Sequence, residues 1–165
     1  MGQIPVQRGK SDANALAALD RPATPSAWLA IADGMHAEPG FWWLDSALAD
    51  YYAGQYDLAI LGFESYVKTF PQSPQASFAQ LHVGNSQMQL GKYEPAVAAF
   101  DLVIRNFPRS SEVPDAWVKK GTALKTLRQT AAAREAFEFV IKTYPDSVAA
   151  TVAQQRLQEL LQQKP

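Results

Sequence analysis

The chain has 165 residues, of which 47% are hydrophobic, and its 15 basic and 16 acidic side chains give a net charge of -1. This length suits one domain with a continuous core, and this charge argues against a strongly basic nucleic-acid-binding surface. Cysteine is absent, which excludes a disulfide framework and a thiolate metal site.

The N-terminal segment, residues 1–40, is expected to be partly disordered, with one or two short helices. The first candidate helix covers Ser11–Leu19, and the second opens at Thr24-Pro25. Trp28 on the second candidate is expected to cover the N-terminal end of the array that follows; alternatively, this helix lies in the groove of a neighbouring molecule. The segment lacks the apolar stretch of a signal peptide, and no apolar run reaches the roughly 18–20 residues that span a bilayer.

From residue 41 onward the sequence repeats with a period of 37 residues. An alanine, a phenylalanine, an aromatic–proline pair and a serine recur in fixed order. They are Ala59, Ala96 and Ala133; Phe63, Phe100 and Phe137; Phe70-Pro71, Phe107-Pro108 and Tyr144-Pro145; and Ser73, Ser110 and Ser147. A period of this size indicates one supersecondary unit stacked on copies of itself, an architecture that presents long binding surfaces.

The second copy shows what one unit is. Ser73 is a good N-cap for a helix whose apolar residues recur with helical spacing, and Gly91 breaks that helix. A second helix is predicted from about residue 94 to 106, and Pro108 terminates it because proline cannot continue the hydrogen-bond ladder. Each unit is therefore predicted to be helix–turn–helix.

This pattern resembles the tetratricopeptide repeat (TPR). The matching sets are Trp43-Ala47-Ala59-Phe63-Pro71, Gly84-Ala96-Phe100-Pro108 with Gln80 in the tryptophan position, and Trp117-Gly121-Ala133-Phe137-Pro145. The resemblance implies an all-α, right-handed superhelix of three helical hairpins plus a C-terminal capping helix. We expect a domain at 41–163, with units at about 41–73, 74–110 and 111–147 and the cap at 148–163.

Longer stretches, among them ALADYYAGQYDLAILGFESYVKTFPQS and AREAFEFVIKTYPDS, are similar to the C-terminal domain of the Tol-Pal system protein YbgF, also called CpoB. The resemblance covers about residues 45–162. It implies a periplasmic scaffold that associates with TolA and links septal peptidoglycan synthesis by a bifunctional penicillin-binding protein to outer-membrane constriction in cell division. That family's trimerising coiled coil has no counterpart in this chain, so the oligomeric state stays open, and the location would be cytoplasmic if the chain is complete.

The first helix of each unit is expected to line the concave surface of the array. The residues predicted to bind a protein partner there are Leu44, Leu48, Tyr51, Tyr52, Phe78, Leu81, Asn85, Met88, Val118 and Lys125. Leu81→Asp is expected to leave helicity intact and to abolish binding. The competing interpretation is that any of the aromatic residues packs between units as core. Only Asn85 matches the clamp by which some TPR domains hold a C-terminal carboxylate, so an amphipathic helix or an extended apolar peptide is expected instead.

No catalytic or cofactor motif is present, since GxSxG, GxxxxGK[ST] and GxGxxG are all missing. His36 and His82 lack a histidine at i+4, so no zinc-binding helix is predicted, and His82 is expected to be a surface or partly packed residue. Lys119-Lys120, with Lys125 and Arg128, is expected to be solvated surface, with contact to an acidic protein as the alternative. We expect no enzyme activity, no cofactor, no metal and no nucleic-acid binding.

Two other functions remain open. One is an adaptor of outer-membrane protein assembly similar to BamD, which is built of the same repeats and would want a lipidated cysteine near the N-terminus. The other is a generic cytoplasmic TPR adaptor, which the missing export signal favours.

Overall fold

The structure, a computed structural model, describes residues 40–162. Within that range it contains seven α-helices and no strand. The helices are α1 (Phe41–Tyr52), α2 (Tyr56–Thr69), α3 (Ala76–Gln89), α4 (Tyr93–Asn106), α5 (Val113–Thr126), α6 (Thr130–Thr143) and α7 (Val148–Gln162). Each helix packs against the next, and α7 also packs against α5. Three helical hairpins and a capping helix are therefore confirmed, whereas the helices predicted within residues 1–39 lie outside the described residues.

A residue in the left-handed conformation ends the first helix of every hairpin. Gly54 after α1 has φ 76°, Gly91 after α3 has φ 71°, and Arg128 after α5 has φ 60°. After α3, the backbone N–H groups of Gly91 and Lys92 bond to the last carbonyls of the helix over 3.0 and 2.8 Å. Because this pair of bonds satisfies carbonyls that the helix leaves free, the chain reverses within three residues and starts the second helix.

Between hairpins the chain turns at the aromatic–proline pair. The serine three residues after each aromatic donates its backbone N–H to the aromatic's carbonyl over 2.9 to 3.0 Å. Ser147 also caps α7 as predicted, since its Oγ accepts the N–H of Ala150 at 3.1 Å. Ser73 differs from the prediction: a further turn separates it from α3, which begins at Ala76, and its hydroxyl bonds to the Tyr66 hydroxyl at 2.7 Å.

The core of each hairpin is built on one phenylalanine from its second helix. Phe63, Phe100 and Phe137 are fully buried. In the second and third hairpins a glycine of the first helix faces that ring. A β-carbon on Gly84 would collide with Phe100, and one on Gly121 would lie 2.6 Å from the Phe137 ring. Glycine is therefore needed where these two helix pairs cross.

In the first hairpin the two helices also approach closely, but there the glycine lies on the second helix and an alanine on the first. Ala47 takes the glycine position on α1, and Gly62 on α2 lies against it. A β-carbon on Gly62 would lie 2.8 Å from the β-carbon of Ala47. The α1–α2 contact thus needs a glycine as well, but on the other helix.

The capping helix α7 closes the C-terminal side of the array. Ala150, Ala153 and Leu160 are buried against α5 and α6, whereas Gln154, Gln155 and Gln158 are exposed. A terminal helix with an apolar inner face and a polar outer face is what a repeat array requires at its end.

Candidate functional site

Among the first helices of the hairpins, α3 contacts α5, and α5 packs against the capping helix α7. The ring of Tyr51 on α1 contacts the ring of His82 on α3, with centroids 5.2 Å apart. Farther along, Nζ of Lys125 on α5 lies 3.4 Å from Oε2 of Glu159 on α7. These contacts join α1 to α3 and α5 to α7. The residues that the repeat phase assigns to the inner face lie on α1, α3 and α5, and they define the candidate surface.

The surface is aromatic where α1 meets α3. Here Tyr51, Tyr52, Phe78 and His82 form a group that we term the aromatic cluster. Tyr51 packs edge-on against Tyr52, with centroids 5.6 Å apart, and Phe78 packs against His82 at 4.3 Å. Tyr52 is 79% exposed, and Phe78 is partly exposed. Paired rings with exposed edges offer rigid apolar area, which is what a docking segment with apolar side chains needs.

His82 contacts both Tyr51 and Phe78 in the aromatic cluster, and its surroundings keep its imidazole uncharged. Burial, assisted by the nearby charge of Lys119, lowers the pKa of His82 to about 4. Its Nδ1 is buried and has no hydrogen-bond partner in the described part of the chain. The fully buried Phe63 ring packs on it as well, with centroids 5.2 Å apart. At neutral pH the imidazole therefore acts as an uncharged packing group between core and surface.

The surface becomes charged toward α5 and α7. The carboxylate of Asp115 pairs with Lys119 at 3.8 Å, and burial raises the pKa of Asp115. Besides its ion pair with Lys125, Glu159 accepts a hydrogen bond at its Oε2 from Nη1 of Arg156, at 3.1 Å. This hydrogen bond lowers the pKa of Glu159. Because acids and bases are paired here, this end presents polar contacts with little net charge.

The structure separates the predicted binding residues into three groups. Exposed or partly exposed on the inner helices are Leu44, Leu48, Tyr51, Tyr52, Phe78, Asn85 and Met88. Leu81 and Val118 are only 6% and 5% exposed and belong to the core. Lys125 is engaged with Glu159. The structure therefore brings Tyr51, Tyr52 and Phe78 together, whereas Leu81 and Val118 are buried and do not form part of the exposed surface.

His82 is partly buried, as the sequence predicts, but its place in the aromatic cluster is not predicted. The repeat itself carries the missing signal. Lys119 lies 37 residues after His82, so the two occupy equivalent positions, each directly after a predicted inner-face residue, Leu81 or Val118. Reading the neighbours of every inner-face position would find both.

Residues 40–162 contain no group of three or more His, Cys, Asp or Glu side chains that could hold a metal ion. In the same range, no helix combines the length and the apolar character that a membrane crossing requires. The groups described on the candidate surface are aromatic side chains in packing contact and paired charges.

The model of the YfiO family, described as an outer membrane lipoprotein, matches residues 43–163. The chain belongs to the YfiO family. The match spans all three hairpins and the capping helix. The narrower resemblance to YbgF/CpoB stays a prediction. A search of curated proteins gives no match.

Solved structures with the fold of this YfiO-family chain are TPR domains. The first TPR of Spaghetti (RPAP3), bound to an HSP90 peptide, has a TM-score of 0.62 and 18% identity over 74% of this chain and 90% of that chain. The second TPR domain of human RPAP3, in complex with an HSP70 peptide, has a TM-score of 0.60 and 18% identity over 72% and 92%. The Arabidopsis OM64 TPR domain has a TM-score of 0.60 and 17% identity over 73% and 94%. The predicted TPR fold is confirmed.

Proposed function

We propose that this chain is a protein-binding scaffold of the bacterial cell envelope, without enzyme activity, and that its concave face holds a segment of the partner. The aromatic cluster is the observation that carries the proposal. It joins α1 to α3 through the Tyr51–His82 contact and leaves Tyr52 79% exposed. Large, rigid aromatic anchors of this kind contribute most of the affinity in protein interfaces.

The partner segment is amphipathic or extended, with apolar side chains toward the aromatic cluster. Leu44 and Leu48 border the cluster on α1, and Asn85 lies one turn beyond it on α3. Polar groups of the segment meet the paired charges of Asp115 and Lys119. The fold positions these groups on rigid helices, which lowers the ordering cost of binding.

The YfiO family match supports an adaptor of outer-membrane protein assembly similar to BamD as the first candidate system. The family description, an outer membrane lipoprotein, supports a place in the envelope. On this proposal the array is held near the outer membrane, and its concave face binds a segment of a protein that is being assembled or of another member of the machinery.

The similarity of the hairpin sequences to YbgF/CpoB supports a second candidate, a periplasmic scaffold of the Tol-Pal system. Its partners would be TolA and a bifunctional penicillin-binding protein. In that role the array would coordinate peptidoglycan synthesis with outer-membrane constriction during cell division.

Calorimetric titration with the periplasmic part of TolA tests the second candidate and the concave site together. Tyr52→Ala removes the most exposed ring of the aromatic cluster, and Leu61→Ala on α2, 61% exposed, is the matched control away from it. Saturable binding that Tyr52→Ala weakens by about tenfold, the size of a hot-spot residue, would support the Tol-Pal role and the concave site.

The other possible results of this titration lead to different conclusions. Binding that both variants leave unchanged would keep TolA as partner and contradict the concave site. No binding by the unaltered chain would remove TolA. The same titration would then be run with the periplasmic domains of the outer-membrane assembly machinery, and no binding there would contradict the first candidate.

A further inference from the structure

A pocket lies at the charged end of the candidate surface, where the first turns of α5 and α7 meet. Its volume is about 350 Å³. This volume is at the lower end of the roughly 300–1,000 Å³ that is typical of ligand pockets. The wall is mainly apolar, and the only charged side chain among the residues that line it is that of Asp115. The other lining residues used below are Pro114, Val148, Ala149 and Val152.

One hydrogen bond between helices of the preceding unit has no counterpart at this pocket. Ser77 and Glu112 are the residues that lie 37 positions before Pro114 and Ala149. The hydroxyl of Ser77, which is 4% exposed, donates to Glu112 Oε2 over 2.9 Å and so ties α3 to the start of α5. Proline and alanine have no polar side-chain atom, so Pro114 and Ala149 cannot form this bond. The start of α7 therefore faces α5 with small apolar groups.

The carboxylate of Asp115 has a distant partner. Its Oδ2 lies 3.8 Å from Nζ of Lys119, a separation that is too long for a hydrogen bond. Burial raises the pKa of Asp115, and the charge of Glu112 raises it further, whereas Lys119 acts in the opposite direction. Half of the Asp115 side chain is exposed. This carboxylate is therefore open to a second cation and is stabilised by one that approaches more closely than Lys119 does.

The wall beside the carboxylate suits the aliphatic part of a long side chain. Val148 is 83% exposed, and Val152, one turn later on α7, is partly exposed. Long basic side chains lay their methylene groups along apolar surface of this kind and keep the charged head at its edge. An anion is less well served here, because the N–H of Ala150 in the first turn of α7 is already bonded to Ser147 Oγ at 3.1 Å. The pocket thus combines an apolar wall with a negative charge.

We propose that this pocket binds an arginine side chain of the partner protein. The guanidinium donates hydrogen bonds to the Asp115 carboxylate, and the methylene groups pack on Val148 and Val152. A guanidinium and a carboxylate pair through two parallel hydrogen bonds, which favours arginine over lysine. The inference rests on the proposed protein-binding function and adds a charged contact to it. On this proposal, the partner segment carries an arginine as well as the apolar side chains that meet the aromatic cluster.

The probe is N-acetyl-L-argininamide, titrated into the full 165-residue chain and followed by amide NMR shifts. N-acetyl-L-citrullinamide has nearly the same shape without the charge, and sodium acetate tests whether the start of α7 attracts an anion instead. We expect saturable shifts at Asp115, Val148 and Val152 with the arginine probe and none with acetate. The citrulline probe should bind about threefold more weakly, the size of a half-exposed ion pair.

Two variants that each lack one carboxylate complete the test. Asp115→Asn should make the arginine and citrulline probes bind equally well, whereas Asp57→Asn on α2, where Asp57 is 74% exposed, should keep the preference for arginine. The proposal is overturned if Asp115→Asn keeps that preference, if Asp57→Asn loses it too, if acetate rather than arginine gives the shifts, or if no saturable shift maps to this pocket. No partner protein enters this titration, so its failure would not bear on the proposed function, which Tyr52→Ala tests.

Discussion

The phenyl ring of Phe100 lies against the α-carbon of Gly84 so closely that a β-carbon there would collide with three ring atoms. The same relationship joins Gly121 to Phe137. Since both rings are fully buried, neither can move aside without disturbing its hairpin. In these two hairpins, the distance between the helices is thus set by one glycine and one phenylalanine.

Gly84→Ala is expected to destabilise the chain. Alanine improves helix propensity by about 0.5–1 kcal/mol, but overpacking of a buried ring costs about 1–3 kcal/mol, so the net effect is a loss. Urea unfolding measures it, with exposed Gln89→Ala on the same helix as control. An unchanged or higher midpoint for Gly84→Ala would mean that the space between Gly84 and the Phe100 ring accommodates a methyl group.

Leu81→Asp is expected to unfold the array rather than to act on binding alone. Leu81 is 6% exposed and packs with Ala96, Phe100 and Val103, so the aspartate loses apolar burial and carries an unpaired charge into the core. The combined cost is at least about 3 kcal/mol. Circular dichroism melting tests this, and Leu61→Asp on the exposed side of α2 should melt close to the unaltered chain. Full helicity and an unchanged melting temperature with Leu81→Asp would instead support the prediction from sequence that Leu81 lies on the binding surface.

Stability is expected to fall as the pH is lowered through the range in which His82 would titrate. The pKa of His82 is about 4 in the folded chain and about 6.5 when the residue is unperturbed, so between these values only the unfolded state takes up the proton. Folding is therefore favoured above pH 6.5 and loses stability progressively toward pH 4. His82→Phe keeps a ring in the aromatic cluster and should flatten this dependence. An identical pH profile for the variant would show that carboxylates, not His82, set the slope.

Arg128→Gly is expected to stabilise the third hairpin. Arg128 has φ 60° at the position where the other hairpins have Gly54 and Gly91. Relief of the left-handed strain, about 1–2 kcal/mol, exceeds the entropy cost of glycine, about 0.5–1 kcal/mol. Thermal unfolding should therefore show a higher midpoint, and a lower one would mean that the arginine side chain makes a contact worth more than the strain.

The helices were predictable from sequence because their signals are local. The repeat predicts the second helix of the second unit at about 94–106, and the structure has it at Tyr93–Asn106. Gly91 ends the helix before it with the left-handed φ that such a terminus requires. These features depend on a few neighbouring residues and repeat three times.

The surface was harder to predict because burial depends on the neighbouring unit. Leu81 and Tyr52 are both assigned to the inner face by their spacing, yet one is 6% and the other 79% exposed. Leu81 is covered by side chains of α4 and α5, including Ala116, which no spacing within α3 specifies.

The central claim, that the concave face binds a protein partner, is tested most directly by site-specific photo-crosslinking in cells that produce the chain. A photoreactive benzoyl-phenylalanine replaces Tyr52 of the aromatic cluster in one chain and Leu61 on α2 in another, two positions of high exposure, 79% and 61%. We predict a discrete protein adduct, identified by mass spectrometry, from position 52 and none of the same mass from position 61. An adduct from position 61 alone would contradict the concave site.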